Sequence, residues 1–203
     1  MQCLGSPPAR RPDKTLVTPI AIITGSPLVD TLLEPHAALI GSDLPGYRNH
    51  ILRVLTYTSH FLGGDEAHRT TIEAALAFHD IGLWVAKDLA YLAPSEHLAT
   101  QTVRQRQLAV DVDLMVALIH WHHKLTPYRG PNASVINALR RADWVDATQG
   151  RLRKGLSAEH IRSVEAALPD LGFHDALMRL AGDLSGGRRW LGLLRVLRGV
   201  YRP

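Results

Sequence analysis

The sequence predicts a single all-α domain, a helical bundle, and three observations carry that expectation. The chain has 203 residues and is 46% apolar, enough for one well-packed core and too little for two full domains. Ala and Leu dominate the apolar share while aromatics make up only 6%, a bias toward helix formers. No alternating apolar–polar run of the kind that marks a half-buried strand occurs, and there is no internal repeat or low-complexity tract.

The elements follow in order. Residues 1–30 read as an irregular lead-in: Pro7, Pro8 and Pro12 stand among charges, and residues 16–33 are compatible with extended or helical backbone. Residues 31–203 form the helical domain, with its central part at 45–150. Pro45 suits the first turn of a helix that runs to about residue 62, where Gly63-Gly64 stops it. Its inner face is Ile51, Leu52 and Leu55, with His50 alongside. Asp65 caps a second helix over 66–78. Pro94-Ser95-Glu96 opens a third, and Asp111 starts a fourth that ends at the 127–131 loop. Asn132 or Ser134 caps a fifth, on which Ile136, Leu139, Asp143 and Asp146 lie near one line. Ser157 starts a sixth, and residues 190–200 form a closing amphipathic helix with Trp190, Leu193, Leu194 and Leu197 on its stripe.

Composition narrows the function. A lone cysteine, Cys3, excludes an intrachain disulfide and a Cys-based zinc site, and fits a reducing compartment. A net charge of +4 favours anionic ligands without demanding nucleic acid. No run reaches the length of a membrane span. Residues 16–23 follow Arg10-Arg11 but are few, contain Pro19 and lack a small-residue cleavage site, so the expected location is cytoplasmic. The expected partner is a small anionic molecule, with no firm nucleic-acid or membrane partner; self-association is left open. Arg188, Arg189, Arg195, Arg198 and Arg202 are read as the outer face of the closing helix.

The eleven histidines are the anomaly, five of them lying between His79 and His123. His79-Asp80 supplies an imidazole and a carboxylate from one turn of backbone. His50 and Asp143, each on its own helix, complete a mixed nitrogen/oxygen set that suits Zn, Mn, Fe or Co. Each of these residues interrupts an apolar stripe, where burial without a partner is costly. One divalent ion is expected and a second allowed for, with Asp80 as the natural bridge. Arg53, one turn beyond His50, and Lys124 are candidate contacts for a substrate anion. Asp146, one turn beyond Asp143, is a candidate to orient a ligand. Trp84, Trp121 and Trp144 are read as core more than as pocket walls.

His50 with Arg53, Leu76-Ala77-Phe78-His79-Asp80-Ile81-Gly82, and Arg140-Arg141-Ala142-Asp143 together make the chain resemble the HD-domain metalloprotein superfamily over roughly residues 45–150. The resemblance implies a helical bundle in which His50, His79, Asp80 and Asp143 hold the primary metal. It implies hydrolysis of phosphomono- or diesters, often nucleotides, with Asp80 orienting the attacking water. Some relatives are instead di-iron oxygenases or zinc-dependent hydratases, and a catalytically silent binding module is a further alternative. Two-metal relatives add histidines before the last Asp, which points to His97 and His122 as further ligands and leaves His123 as acid, base or hydrogen-bond donor. The cyclic-dinucleotide branch has Lys where Leu83 follows Gly82 and a different loop at 124–131, so that activity is not assigned.

Overall fold

The computed structural model describes residues 20–88 and 90–183. Among these, all regular structure is helical: α1 (Pro27–Leu33), α2 (Ala37–Ile40), α3 (Leu44–Phe61), α4 (Arg69–Phe78), α5 (Gly82–Val85), α6 (Leu92–Gln105), α7 (Val112–Trp121), α8 (Ala133–Ala147), α9 (Ala158–Ala167) and α10 (Phe173–Asp183). Short 3₁₀ turns at Glu34–His36 and Gly41–Asp43 flank α2. The lead-in, the expected closing helix and the terminal arginines lie outside the described residues, except that the expected boundary at residue 30 falls inside α1. There Ser26 Oγ accepts the Val29 N–H at 3.2 Å, and Pro27 occupies the first turn.

Helix α3 is the axis of the bundle. It packs along α8 and also touches α4, α9 and α10. Every residue from His50 to Thr58 is buried, so α3 has no solvent face in this stretch where the sequence predicts a single inner one. A helix enclosed on all sides is normally apolar throughout. Here His50, Arg53, Thr56 and Thr58 share that burial, and each therefore needs a partner from a neighbouring element. On the other flank α4 packs against α1, α6 and α7. One continuous core joins Ile51, Leu55, Leu76, Phe78, Met115, Ile119, Leu139 and Phe173. No helix among the described residues is long and apolar enough to cross a membrane.

Most expected helix ends match to within a turn, and the differences have local causes. Asp65 caps a turn instead of a helix: its Oδ1 accepts the Ala67 N–H at 2.9 Å, and α4 begins only at Arg69. Asp111 caps α7 as expected, accepting from Leu114 N at 2.9 Å, and Ser157 caps α9 through His160 N at 3.0 Å. Between the second and third expected helices lies a further short one, α5, and α6 begins at Leu92, just before the expected start at Pro94. Gly82 explains how these two elements meet. Its N–H donates to Ser95 Oγ at 3.0 Å, and a Cβ there would lie 2.3 Å from the Tyr91 carbonyl oxygen. Only glycine allows backbone to approach this closely.

Gly82→Ala is therefore expected to push α5 from α6 and to cost about 1–3 kcal/mol, the usual range for overpacking a tight site. Urea denaturation of the native and variant proteins measures it as a lowered midpoint at unchanged slope.

Candidate metal centre

Four elements deliver polar side chains to one buried point. His50 comes from α3, and His79 and Asp80 from the turn that ends α4. His122 comes from the turn that ends α7, and Asp143 and Asp146 from one face of α8. All are at most 6% exposed.

Two of the histidines are built the same way. His79 is the first residue past α4, and its Nδ1 lies 2.7 Å from the carbonyl of Leu76. His122 is the first residue past α7, and its Nδ1 lies 2.6 Å from the carbonyl of Ile119. Helix ends leave their last carbonyls without intrahelical donors. In each case the histidine three residues on supplies one, and in doing so turns its Nε2 toward the bundle axis. A carbonyl only accepts, so both rings carry a proton on Nδ1.

His50 is oriented from outside its own helix. Its Nδ1 lies 2.6 Å from Asp146 Oδ2. Asp146 is itself clamped by Arg53, whose Nε donates to Oδ1 at 2.5 Å and whose second guanidinium nitrogen donates to Oδ2 at 2.9 Å. Arg53 also donates to the carbonyl of Leu168 at 3.0 Å. Burial raises the Asp146 carboxyl, but hydrogen bonds from His50 and Arg53 outweigh it and hold the group well below the usual carboxylate range. This overturns the expectation that Arg53 contacts substrate. Its guanidinium is 2% exposed and committed to Asp146 and to backbone, so its task is to hold Asp146 and thereby His50. Asp146, which the sequence left as either orienting a ligand or facing solvent, is buried and holds His50 Nδ1.

Phe173 stacks on the His50 ring at 4.3 Å and 17°, and Tyr47 lies against both His50 and His79. These apolar faces leave the rings no freedom to turn. The result is that His50 Nε2 and His79 Nε2 face each other at 2.9 Å, within hydrogen-bond distance. Burial drives the His79 imidazole down to about 3 against the pull of Asp80, so at neutral pH His79 presents a lone pair to this contact.

Carboxylates close the remaining sides. Asp80 Oδ2 lies 3.4 Å from His79 Nε2 and 3.8 Å from His50 Nε2. Asp143 Oδ1 lies 3.7 Å from His50 Nε2 and 3.9 Å from His79 Nε2. Ligands about 2.1 Å from a common ion stand roughly 3.0 Å apart at right angles and roughly 3.4 Å apart at tetrahedral angles. His50, His79 and Asp80 are close enough together to hold a metal ion, and Asp143 flanks them. Burial pushes the Asp143 carboxyl up to about 6. Burial acts on Asp80 in the same sense but is outweighed by His79 and His122, which keep it ionised. Among the described residues, neither carboxylate is paired with a lysine or arginine.

The other Asp80 oxygen, Oδ1, lies 3.4 Å from His122 Nε2. His122 Nε2 in turn lies 2.8 Å from His123 Nδ1 and 3.2 Å from the Tyr91 hydroxyl. The tandem histidines meet at the end of α7, where His122 is the C-cap and His123 lies beyond it, and both approach the Tyr91 hydroxyl. Tyr91, just before α6 and 5% exposed, was not singled out by sequence.

His97 does not join the centre. The inner face of α6 is Ser95, Ala99 and Val103, and a residue two positions from both Ser95 and Ala99 points the other way. His97 is exposed, in a surface groove with Thr100, Gln101, Arg104 and Gln105. Lys124 is 6% exposed, and its ammonium makes no hydrogen bond or ion pair among the described residues; burial lowers its pKa, opposed by Glu96. Of the tryptophans, Trp84 is core and donates to Asp43 at 3.0 Å, Trp121 packs edge-on against Tyr128, and Trp144 reaches the Lys124 carbonyl at 3.4 Å. No family model, curated protein or solved structure matches this chain.

Two outcomes follow from the clamp on His50. Arg53→Met leaves Asp146 buried and uncompensated, and is expected to destabilise the fold by about 3–5 kcal/mol in thermal or chemical denaturation. Asp146→Asn keeps the shape but weakens the hold on His50, so zinc affinity in a chelator-competition titration is expected to fall about 10–100-fold.

Proposed function

We propose that the chain is a metal-dependent hydrolase of a small phosphoester, related to the HD-domain superfamily. The observation that carries the reading is the convergence of His50 Nε2, His79 Nε2 and Asp80 at one buried point, with the two nitrogens facing each other at 2.9 Å. An ion held between two imidazoles suits that approach, and two carboxylates without a lysine or arginine partner among the described residues supply the countercharge for a divalent one.

His50, His79, Asp80 and Asp143 would hold the ion, and its contribution when bound is to bring the pKa of a water from about 15.7 to near 7. Zn, Mn, Fe and Co all suit two imidazoles and two carboxylates. Asp80 accepts a hydrogen bond from the attacking water and fixes its direction. His123, half-buried at the edge of the site, moves the proton. Lys124 neutralises charge that builds on the phosphoryl oxygens: the residue is buried and its ammonium makes no ion pair among the described residues, with Glu96 as the nearby acid, which leaves it available to an anionic ligand. Arg53 holds the metal-side geometry through Asp146 and takes no part in substrate binding.

A second reading, a two-metal site of the oxygenase kind, draws on the placement of Asp80 Oδ1 beside His122, with His123 next to His122 in turn. Asp80 would then bridge two ions, with His122 on the second.

The test is metal content together with turnover of a panel of nucleoside monophosphates, cyclic nucleotides and p-nitrophenyl phosphate. The expected result is one transition-metal ion per chain, hydrolysis abolished by chelation and restored by Mn, Co or Zn, and loss of both metal and activity in His79→Ala. Two irons per chain with dioxygen consumption and no hydrolysis would replace the first reading by the second. Failure of the native protein to retain any metal would remove both.

A further inference from the structure

The loop between α7 and α8 carries Lys124, and three side chains of α8 hold that loop by its backbone. Asn137, Arg140 and Trp144 follow one another at helical spacing on one side of α8. Asn137 takes the far end. Its Oδ1 accepts the Tyr128 N–H at 2.9 Å, and its Nδ2 donates to the carbonyls of Tyr128 at 2.9 Å and Ala133 at 2.8 Å. A backbone N–H only donates and a carbonyl only accepts, so these contacts fix which way the amide points. Arg140 takes the near end. Its Nη1 donates to the carbonyls of Lys124 at 2.9 Å and Leu125 at 3.2 Å, while its Nε donates to Asn137 Oδ1 at 3.2 Å. Trp144 Nε1 donates to the same Lys124 carbonyl at 3.4 Å, and the Lys124 N–H donates to the Trp121 carbonyl at 3.1 Å. Both backbone groups of Lys124 are thereby held, which leaves only its side chain to move. Arg140 is as buried as Lys124, and every hydrogen bond it makes among the described residues goes to a carbonyl or an amide oxygen. Its planar fork is spent on backbone geometry.

We propose that Arg140 and Asn137 are positioning residues that set the 124–128 loop on α8 and so aim the Lys124 ammonium at the phosphate group that enters the site. This deepens the hydrolase reading, and the role of Lys124 as the anion contact rests on it. Lys124 directly follows His122-His123, and His122 Nε2 stands 3.4 Å from Asp80 Oδ1, so the loop starts from the edge of the site. The same helix α8 presents Asp143, three residues beyond Arg140 and on the adjoining face, to His50 and His79. One face of α8 sets a proposed metal ligand and the next sets the charge for the substrate. A rigid element shared in this way keeps the spacing between ion and ammonium fixed, which a free loop would not. A lysine is a point charge on a flexible stem, so its aim depends on where its backbone is held. The Arg140-Arg141-Ala142-Asp143 run thus divides its work: Arg140 holds the loop, Arg141 packs over the Phe61 ring at 3.9 Å, and Asp143 flanks the ion.

Calorimetric titration of the full chain with inorganic phosphate tests this without turnover, with zinc affinity by chelator competition measured alongside. Lys124→Met is expected to weaken phosphate binding about 10–100-fold, the worth of one charge-assisted hydrogen bond. Arg140→Met is expected to weaken it about tenfold while zinc affinity stays as in the native chain. Arg140→Lys keeps the charge but not the fork, and is expected to follow Arg140→Met rather than the native chain. In a Lys124→Met background neither Arg140 substitution should cost anything further, because Arg140 acts through Lys124. Asn137→Ala frees only the Tyr128 end and gives an independent reading: phosphate affinity lowered a few-fold, zinc affinity again unchanged. Phosphate affinity unchanged in Arg140→Met or fully kept in Arg140→Lys overturns the proposal, and so does a native chain that binds no phosphate. An equal loss with and without Lys124 overturns it too, since Arg140 would then meet the anion directly. So does a matching fall in zinc affinity, which would place the effect on Asp143. A native chain that binds phosphate with this dependence on Arg140, yet hydrolyses no phosphoester, would sink the hydrolase reading and leave the positioning intact.

Discussion

The charge balance at the centre of the bundle constrains everything around it. Asp80, Asp143 and Asp146 are buried within a few ångströms of three histidines, and among the described residues the only permanent cation in contact with them is Arg53, which is committed to Asp146. Buried charge left unmatched is among the most expensive features a fold can carry. The Arg53–Asp146 pair settles one carboxylate and uses its spare oxygen capacity to hold His50. What remains is Asp80 beside His50 and His79, close enough together to hold a metal ion, with Asp143 flanking them.

That constraint explains the architecture of α3. A helix enclosed over residues 50–58 would ordinarily be entirely apolar, yet it carries His50 and Arg53 one turn apart. Both are satisfied by a single residue of α8, Asp146, so the contact between the two helices is specified by a hydrogen-bonded ion pair as well as by Ile51, Leu55 and Leu139. Arg53 extends the same hold to the carbonyls of Leu168 and Pro169, and Phe173 at the start of α10 covers the His50 ring. The C-terminal helices thus back the site through contacts far from it in sequence.

The helical class and most helix boundaries were legible because caps and stop signals are local: Ser157, Asp111 and Gly63-Gly64 mark ends whatever surrounds them. His50, His79, Asp80 and Asp143 were legible because polar residues on apolar stripes demand a partner, and four of them suggested a common one. Arg53 was misread for the opposite reason. Its spacing from His50 puts it near the site but says nothing of which group it meets, and that group is 93 residues away. His97 was misread because order along the chain is not position on a helix face; the inward row of α6 is set by Ser95, Ala99 and Val103. Tyr91 left no signal of its own, although Gly82 marks a close backbone approach and the approach is to Tyr91. The two His residues placed just past α4 and α7 were a pattern available in the sequence, a histidine three residues beyond a carbonyl at a helix end, and its use as a self-cap went unread.

The most direct test of the central claim is an anomalous difference map, collected at the absorption edge of the bound metal, from crystals grown with Mn, Co or Zn. A single strong peak between His50 Nε2 and His79 Nε2, about 2.1 Å from each and from oxygens of Asp80 and Asp143, is the result expected. A map without a peak there, with the two imidazoles still facing each other, would contradict it, since the two nitrogens would then be sharing something other than a metal ion.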